Sequence, residues 1–157
     1  MSLETYANWL DEHGELPFGM PTWDEGGYEA RLVYEAGYGW FVEEYLGDPD
    51  DDEDPWRHDH TCSNYEALAI LQRWHRERLR EQGIRVSDIG GRYYIVVRTP
   101  AIPHSRLESV VGQFLVDGQW LGPMEDQPGT ATEFDDYDAA LLAAAGAVKK
   151  GDSDADA

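Results

Sequence analysis

Residues 63–99 read SNYEALAILQRWHRERLREQGIRVSDIGGRYYIVVRT, a capped helix running straight into two strands. Ser63 and Glu66 stand three apart, the spacing of a capping box, in which each side chain takes the other's free backbone N–H. Behind the cap, Ala67, Leu68, Leu71, Trp74, His75 and Leu79 recur at helical spacing. That pattern predicts a helix over Asn64–Gln82, stopped by Gly83. Arg73, Arg76, Arg78 and Arg80 crowd its last turns, where they favour the negative end of the helix dipole. Ile84–Asp88 and Arg92–Thr99 then read as strands joined through Gly90-Gly91. Tyr93-Tyr94-Ile95-Val96-Val97 is apolar almost throughout, which suits a central strand covered on both faces.

Downstream, Asp117-Gly118 between Gln113–Val116 and Gln119–Leu121 is a strong two-residue hairpin signal. Pro100–His104 reads as a loop, and Ser105–Val111 as a short helix or a further strand. Asp135 or Asp136 can cap a final helix through Tyr137, Leu141, Leu142 and Ala145 to about Val148. Upstream, Leu3, Tyr6, Ala7 and Leu10 predict a short helix over 3–13, with Gly14 as its stop. Residues 15–27, rich in Pro and Gly, read as a loop. Residues 28–46 alternate apolar and polar, which favours a hairpin of Glu29–Glu35 and Trp40–Leu46 over a helix. The expected architecture is α+β: an antiparallel sheet of hairpins packed against the Asn64–Gln82 and Asp136–Val148 helices, with a short N-terminal helix. Residues 1–150 are expected to form one acidic domain, and 151–157 a disordered acidic tail.

Charge is distributed unevenly over this framework. Residues 1–56 hold sixteen carboxylates against Arg31 alone, whereas 57–122 hold nine arginines against seven acids. The whole chain carries −20, which repels nucleic acid backbones and anionic membranes alike. Direct nucleic-acid binding and membrane docking are therefore not expected. Adaptation to high internal salt would also give an acidic, lysine-poor chain, and only two lysines occur. It would spread acid over the whole length, however, and the middle third is slightly basic. A merely solubilising surface is the ordinary meaning of a charge run. The nineteen aromatic residues speak for a packed core rather than an acidic disordered chain. A single cysteine, Cys62, and an N-terminus without a basic or apolar leader segment fit a cytoplasmic protein.

Few residues suggest chemistry. His58-Asp59-His60-Thr61-Cys62 offers imidazole and thiolate, the donors zinc prefers, and an H-x-H pair on an extended segment points both rings one way. A fourth ligand would have to come from His75 or the Asp50–Asp54 run. The spacing matches no zinc motif, so no metal and no cofactor are expected; a zinc protein using His58, His60 and Cys62 is a lesser alternative. Cys62 could be activated by His58 or His60 and by the start of the following helix, or be a buried small hydrophobe. There is no G-x-S-x-G elbow, P-loop or dinucleotide fingerprint. The Asp48–Asp54 run lacks the glycine and distal Glu of a calcium loop. No enzymatic activity is expected.

The acids themselves are the remaining functional feature. Asp48, Asp50, Asp51, Asp52, Glu53 and Asp54 are six acids in seven positions, an exposed run that cannot bury apolar surface. With Asp24, Glu25, Glu43 and Glu44 they form the expected partner-binding set. Duplex DNA presents a negative charge about every 1.7 Å of axis, and clustered carboxylates can imitate that array. In size and acidity the chain resembles the DNA-mimic inhibitors that phages and mobile elements direct against restriction or CRISPR systems. The resemblance implies a partner with a basic, nucleic-acid-binding surface. An acidic protein-interaction accessory domain without a nucleic-acid role is the other reading.

Overall fold

The computed structural model describes residues 3–25, 27–45, 56–99, 112–121 and 131–155. Among these residues, three helices and two antiparallel four-stranded sheets make up the α+β fold. The chain runs α1 (Leu3–His13), β1 (Thr22–Glu25), β2 (Tyr28–Glu35), β3 (Gly39–Tyr45), β4 (Trp56–Thr61), α2 (Asn64–Glu81), β5 (Ile84–Ile89), β6 (Tyr93–Arg98), β7 (Gln113–Val116), β8 (Gln119–Leu121) and α3 (Tyr137–Ala155). Strands β1 to β4 form one meander and β5 to β8 the other.

Helix α2 joins the two sheets because its apolar stripe runs their full distance. Ala67 and Leu71 enter a core with Leu32, Trp40, Val42 and Cys62 of the first sheet and its flank. About two turns after Leu71, Leu79 enters a second core with Ile84, Val96 and Leu115. Helix α3 does the same with consecutive residues: Leu142 joins the first core and Leu141 the second. The capping box is half formed as drawn, with Ser63 Oγ accepting the Glu66 N–H at 3.1 Å. Asp136 supplies the cap of α3, its Oδ1 accepting the Asp138 N–H at 3.2 Å.

A buried polar knot ties the three helices together. Tyr6 Oη donates to Asp138 Oδ1 at 2.7 Å, and Gln72 Nε2 donates to the same oxygen at 3.0 Å. Tyr6, Asp138 and the nearby His75 are fully buried. Burial and the Asp138 carboxylate raise the Tyr6 pKa far beyond its ordinary value, so the phenol keeps its proton.

The second sheet follows the sequence reading closely. Strand β6 lies between β5 and β7, with Val96 buried on one face and Val97 on the other, against Phe114 and Ala131. Asp117 and Gly118 both take positive φ, 48° and 82°, as a hairpin turn matched to strand twist requires. One expectation for the first sheet is corrected. The loop expected over 15–27 contains strand β1, whose Trp23 packs on the first core, and Gly27 is part of the β1–β2 turn. The polar segment before α2 forms the edge strand β4, paired with β3. An edge strand whose residues are half-buried or exposed carries no apolar alternation to announce it. Helix α3 also continues past the expected end at Val148 to Ala155. Pro100–His104 and Ser105–Val111 lie outside the described residues, so neither reading of them is decided.

Candidate functional site

The register of the first sheet sorts its side chains onto two faces, because cross-strand partners share a face and neighbours along a strand alternate. Ala30, Leu32, Trp40 and Val42 line the inner face and are buried in the core. The outer face carries Asp24 opposite Glu29, Arg31 opposite Glu43, Val33 opposite Phe41, and Tyr45 opposite Trp56. Arg31 donates to Glu43 at 2.7–2.8 Å and its guanidinium lies 4.0 Å over the Trp56 ring. Tyr45 meets Trp56 edge-on at 5.2 Å, and Phe41 lies 5.1 Å from the His58 ring. The result is an aromatic strip flanked by the exposed carboxylates of Asp24, Glu29 and Glu35.

The expected partner-binding residues are divided by this geometry. Asp24 and Glu43 share the outer face, and Glu43 is half-neutralised by Arg31. Glu44 alternates with Glu43 onto the other face, where it stands opposite Arg57, and Glu25 pairs in register with Tyr28. Asp48, Asp50, Asp51, Asp52, Glu53 and Asp54 lie outside the described residues, in the connection between β3 and β4. Glu29 and Glu35 join the outer face although the sequence reading passed over them. Their i, i+2 alternation with Arg31 and Val33 in the hairpin was the available signal.

The H-x-H expectation is corrected by one extra residue. The β3–β4 register shifts between Val42 and Glu43, so that Val42 stands opposite His60 and Glu43 opposite His58, with Asp59 the extra residue of the ladder between them. This bulge turns the two imidazoles to opposite faces. His58 rests against Phe41 on the outer face, while His60 turns toward α2. There His60 Nε2 lies 2.7 Å from Glu66 Oε1, and His60 Nδ1 lies 3.0 Å from Asp59 Oδ2. The hydrogen bond to Glu66, then that to Asp59, raises the His60 pKa above its ordinary value.

Cys62 completes this cluster. One donor atom each from His60, Cys62 and Glu66 falls within 4.8 Å of the others. Glu66 thus takes the place that the sequence reading gave His58, and His75 stays in the core with Nδ1 on the Leu71 carbonyl at 2.8 Å. At one position in the first turn of α2, Glu66 gives its backbone N–H to the Ser63 cap and its side chain to His60. Burial, then the Glu66 charge, pushes the Cys62 thiol up to about 11, so helix-start activation of a nucleophile is not realised.

No helix among the described residues is long and apolar enough to cross a membrane. No family model, no curated protein and no solved structure matches this chain.

Proposed function

We propose that the chain is a non-enzymatic acidic binding protein that occupies a basic, nucleic-acid-binding surface on a nucleic-acid-handling protein. The observation that carries this reading is the outer face of the first sheet. Asp24 and Glu29 stand directly opposite each other there, a like-charge pair that costs sheet stability and folding alone does not explain. Beside them Tyr45 and Trp56 offer the aromatic anchors that concentrate binding energy at interfaces. In sequence the Asp48–Asp54 run falls between β3 and β4 and adds six carboxylates to the same part of the chain. Such a field speeds encounter with a cationic groove and weakens as salt screens it. A protonated Cys62 thiol is consistent with a role that needs no nucleophile. Inhibitors of restriction or CRISPR complexes are the functional class this reading favours.

The test is capture of binding proteins on the immobilised chain, followed by elution with duplex DNA. Nucleic-acid-handling proteins should be retained, released by duplex DNA, and lost from a variant with Asp50, Asp51, Asp52 and Asp54 changed to Asn and Asp24→Asn added. Partners that ignore duplex DNA would instead indicate the accessory-domain reading, and undiminished capture by the variant would remove the acidic set from the site.

One observation favours a second reading, a zinc-binding protein. His60 Nε2, Cys62 Sγ and a Glu66 oxygen could close on a divalent ion while Asp59 holds Nδ1, the arrangement usual behind metal-bound histidines. Cobalt(II) titration separates the readings: a thiolate charge-transfer band lost in Cys62→Ser but kept in His58→Ala supports the metal, and no band refutes it.

A further inference from the structure

We propose that the arginine cleft between α2, β5 and the start of α3 binds a small organic phosphate, one with at least two negative charges on an apolar or aromatic body. Arg73, Arg76 and Arg80 fall on one face of α2, and Arg85 reaches the same cleft from β5. Four of the chain's twelve basic side chains therefore line one concavity in a protein with 32 acids. Chance placement on so acidic a surface would scatter them.

These guanidiniums repel one another and only one is offset nearby. Arg73 pairs Glu77 at 3.0 Å; among the described residues no ion pair holds Arg76, Arg80 or Arg85. Three uncompensated positive charges on two elements call for a multiply charged anion, and planar guanidinium forks match phosphate oxygens in pairs. The floor sets the rest of the ligand. Leu79, Ile84 and Leu141, all buried, and Tyr137 line the cleft with the arginines. The cleft volume of about 460 Å³ suits a molecule the size of a mononucleotide. The chain's overall −20 does not forbid this, because at about 0.1 M salt charges more than about 10 Å away are largely screened. The site is independent of the acidic outer face and stands or falls separately from it.

Titration calorimetry of the whole chain with ATP, inorganic pyrophosphate and adenosine in metal-free buffer at about 0.1 M salt tests the assignment. ATP should bind more tightly than pyrophosphate, and adenosine should give no heat. Arg76→Gln and Arg80→Gln should each weaken ATP by about tenfold, the equivalent of one charge-assisted hydrogen bond. Arg92→Gln, in the β5–β6 turn away from the cleft, should leave affinity unchanged, as should all three changes the melting temperature. No heat from ATP at about 1 mM, or wild-type affinity in both cleft variants, overturns the site. An equal loss in Arg92→Gln reduces it to general charge attraction and overturns it as well. Equal affinities for ATP and pyrophosphate remove the apolar body from the ligand and overturn that part.

Discussion

Removing one oxygen from Tyr6 isolates the polar knot that holds the three helices. Tyr6→Phe keeps the ring and its packing in the first core, and deletes only the hydroxyl that donates to Asp138 Oδ1 at 2.7 Å. Asp138 is fully buried, so water does not replace the lost donor, and Gln72 Nε2 at 3.0 Å is left to serve the same oxygen. A hydrogen bond to a charged group contributes about 1.5–3 kcal/mol, which places the expected loss near 2 kcal/mol, about 4–8 °C in melting temperature for a chain of this size. Urea unfolding followed by tryptophan fluorescence measures it, since Trp40 sits in the core that Tyr6 helps close. The charge dependence gives a second handle. In an Asp138→Asn background the acceptor is neutral, and Tyr6→Phe should cost about half as much. A loss below about 0.5 kcal/mol in the wild-type background, or an identical loss in both backgrounds, would refute a charge-assisted bond as one of the ties between α1 and α3.

Three further outcomes are expected. Burial lowers the His75 pKa, and among the described residues Nε2 has no hydrogen-bond partner; the unfolded chain, with an ordinary value of about 6.5, then binds more protons. The stability contributed by neutral His75 is complete above about pH 6.5 and is lost as pH falls toward the folded value, so His75→Leu should flatten the acid-side decline. Urea midpoints between about pH 8 and 5 measure it, and parallel slopes refute it. Exposed His60 has the opposite sign: its contribution is complete below the unfolded value and is lost as pH rises through the raised folded one. Gly83 has φ +74° and a Cβ there would run into the Thr99 carbonyl oxygen, whereas Gly14 at φ +81° faces open space. Gly83→Ala should therefore cost clearly more than the about 1–2 kcal/mol of left-handed strain that Gly14→Ala pays; equal thermal shifts would contradict this. Finally, the aromatic cores should give one cooperative thermal transition in about 0.1 M salt; folding that appears only near molar salt would assign the acidity to halophilic adaptation.

The sequence by itself determined the elements whose signals are local. The Ser63–Glu66 cap, the Gly83 stop, the Asp117-Gly118 turn and the apolar run Tyr93–Val97 each depend on neighbouring residues and on backbone geometry that a few side chains dictate. The charge asymmetry was equally plain, because it is a sum over residues and needs no fold. Tertiary structure alone decided what depends on partners distant in sequence. Strands β1 and β4 exist through pairing with β2 and β3, and as edge strands they need little apolar surface of their own. One bulged residue, Asp59, separated His58 from His60 and put Glu66 in the donor cluster, an outcome set by register rather than by spacing. Arg85 met Arg73, Arg76 and Arg80 only because β5 folds back along α2, converting a run of helix-end arginines into a cleft. Local rules fix conformation over a few residues, whereas sites require convergence of side chains, and convergence is a property of packing.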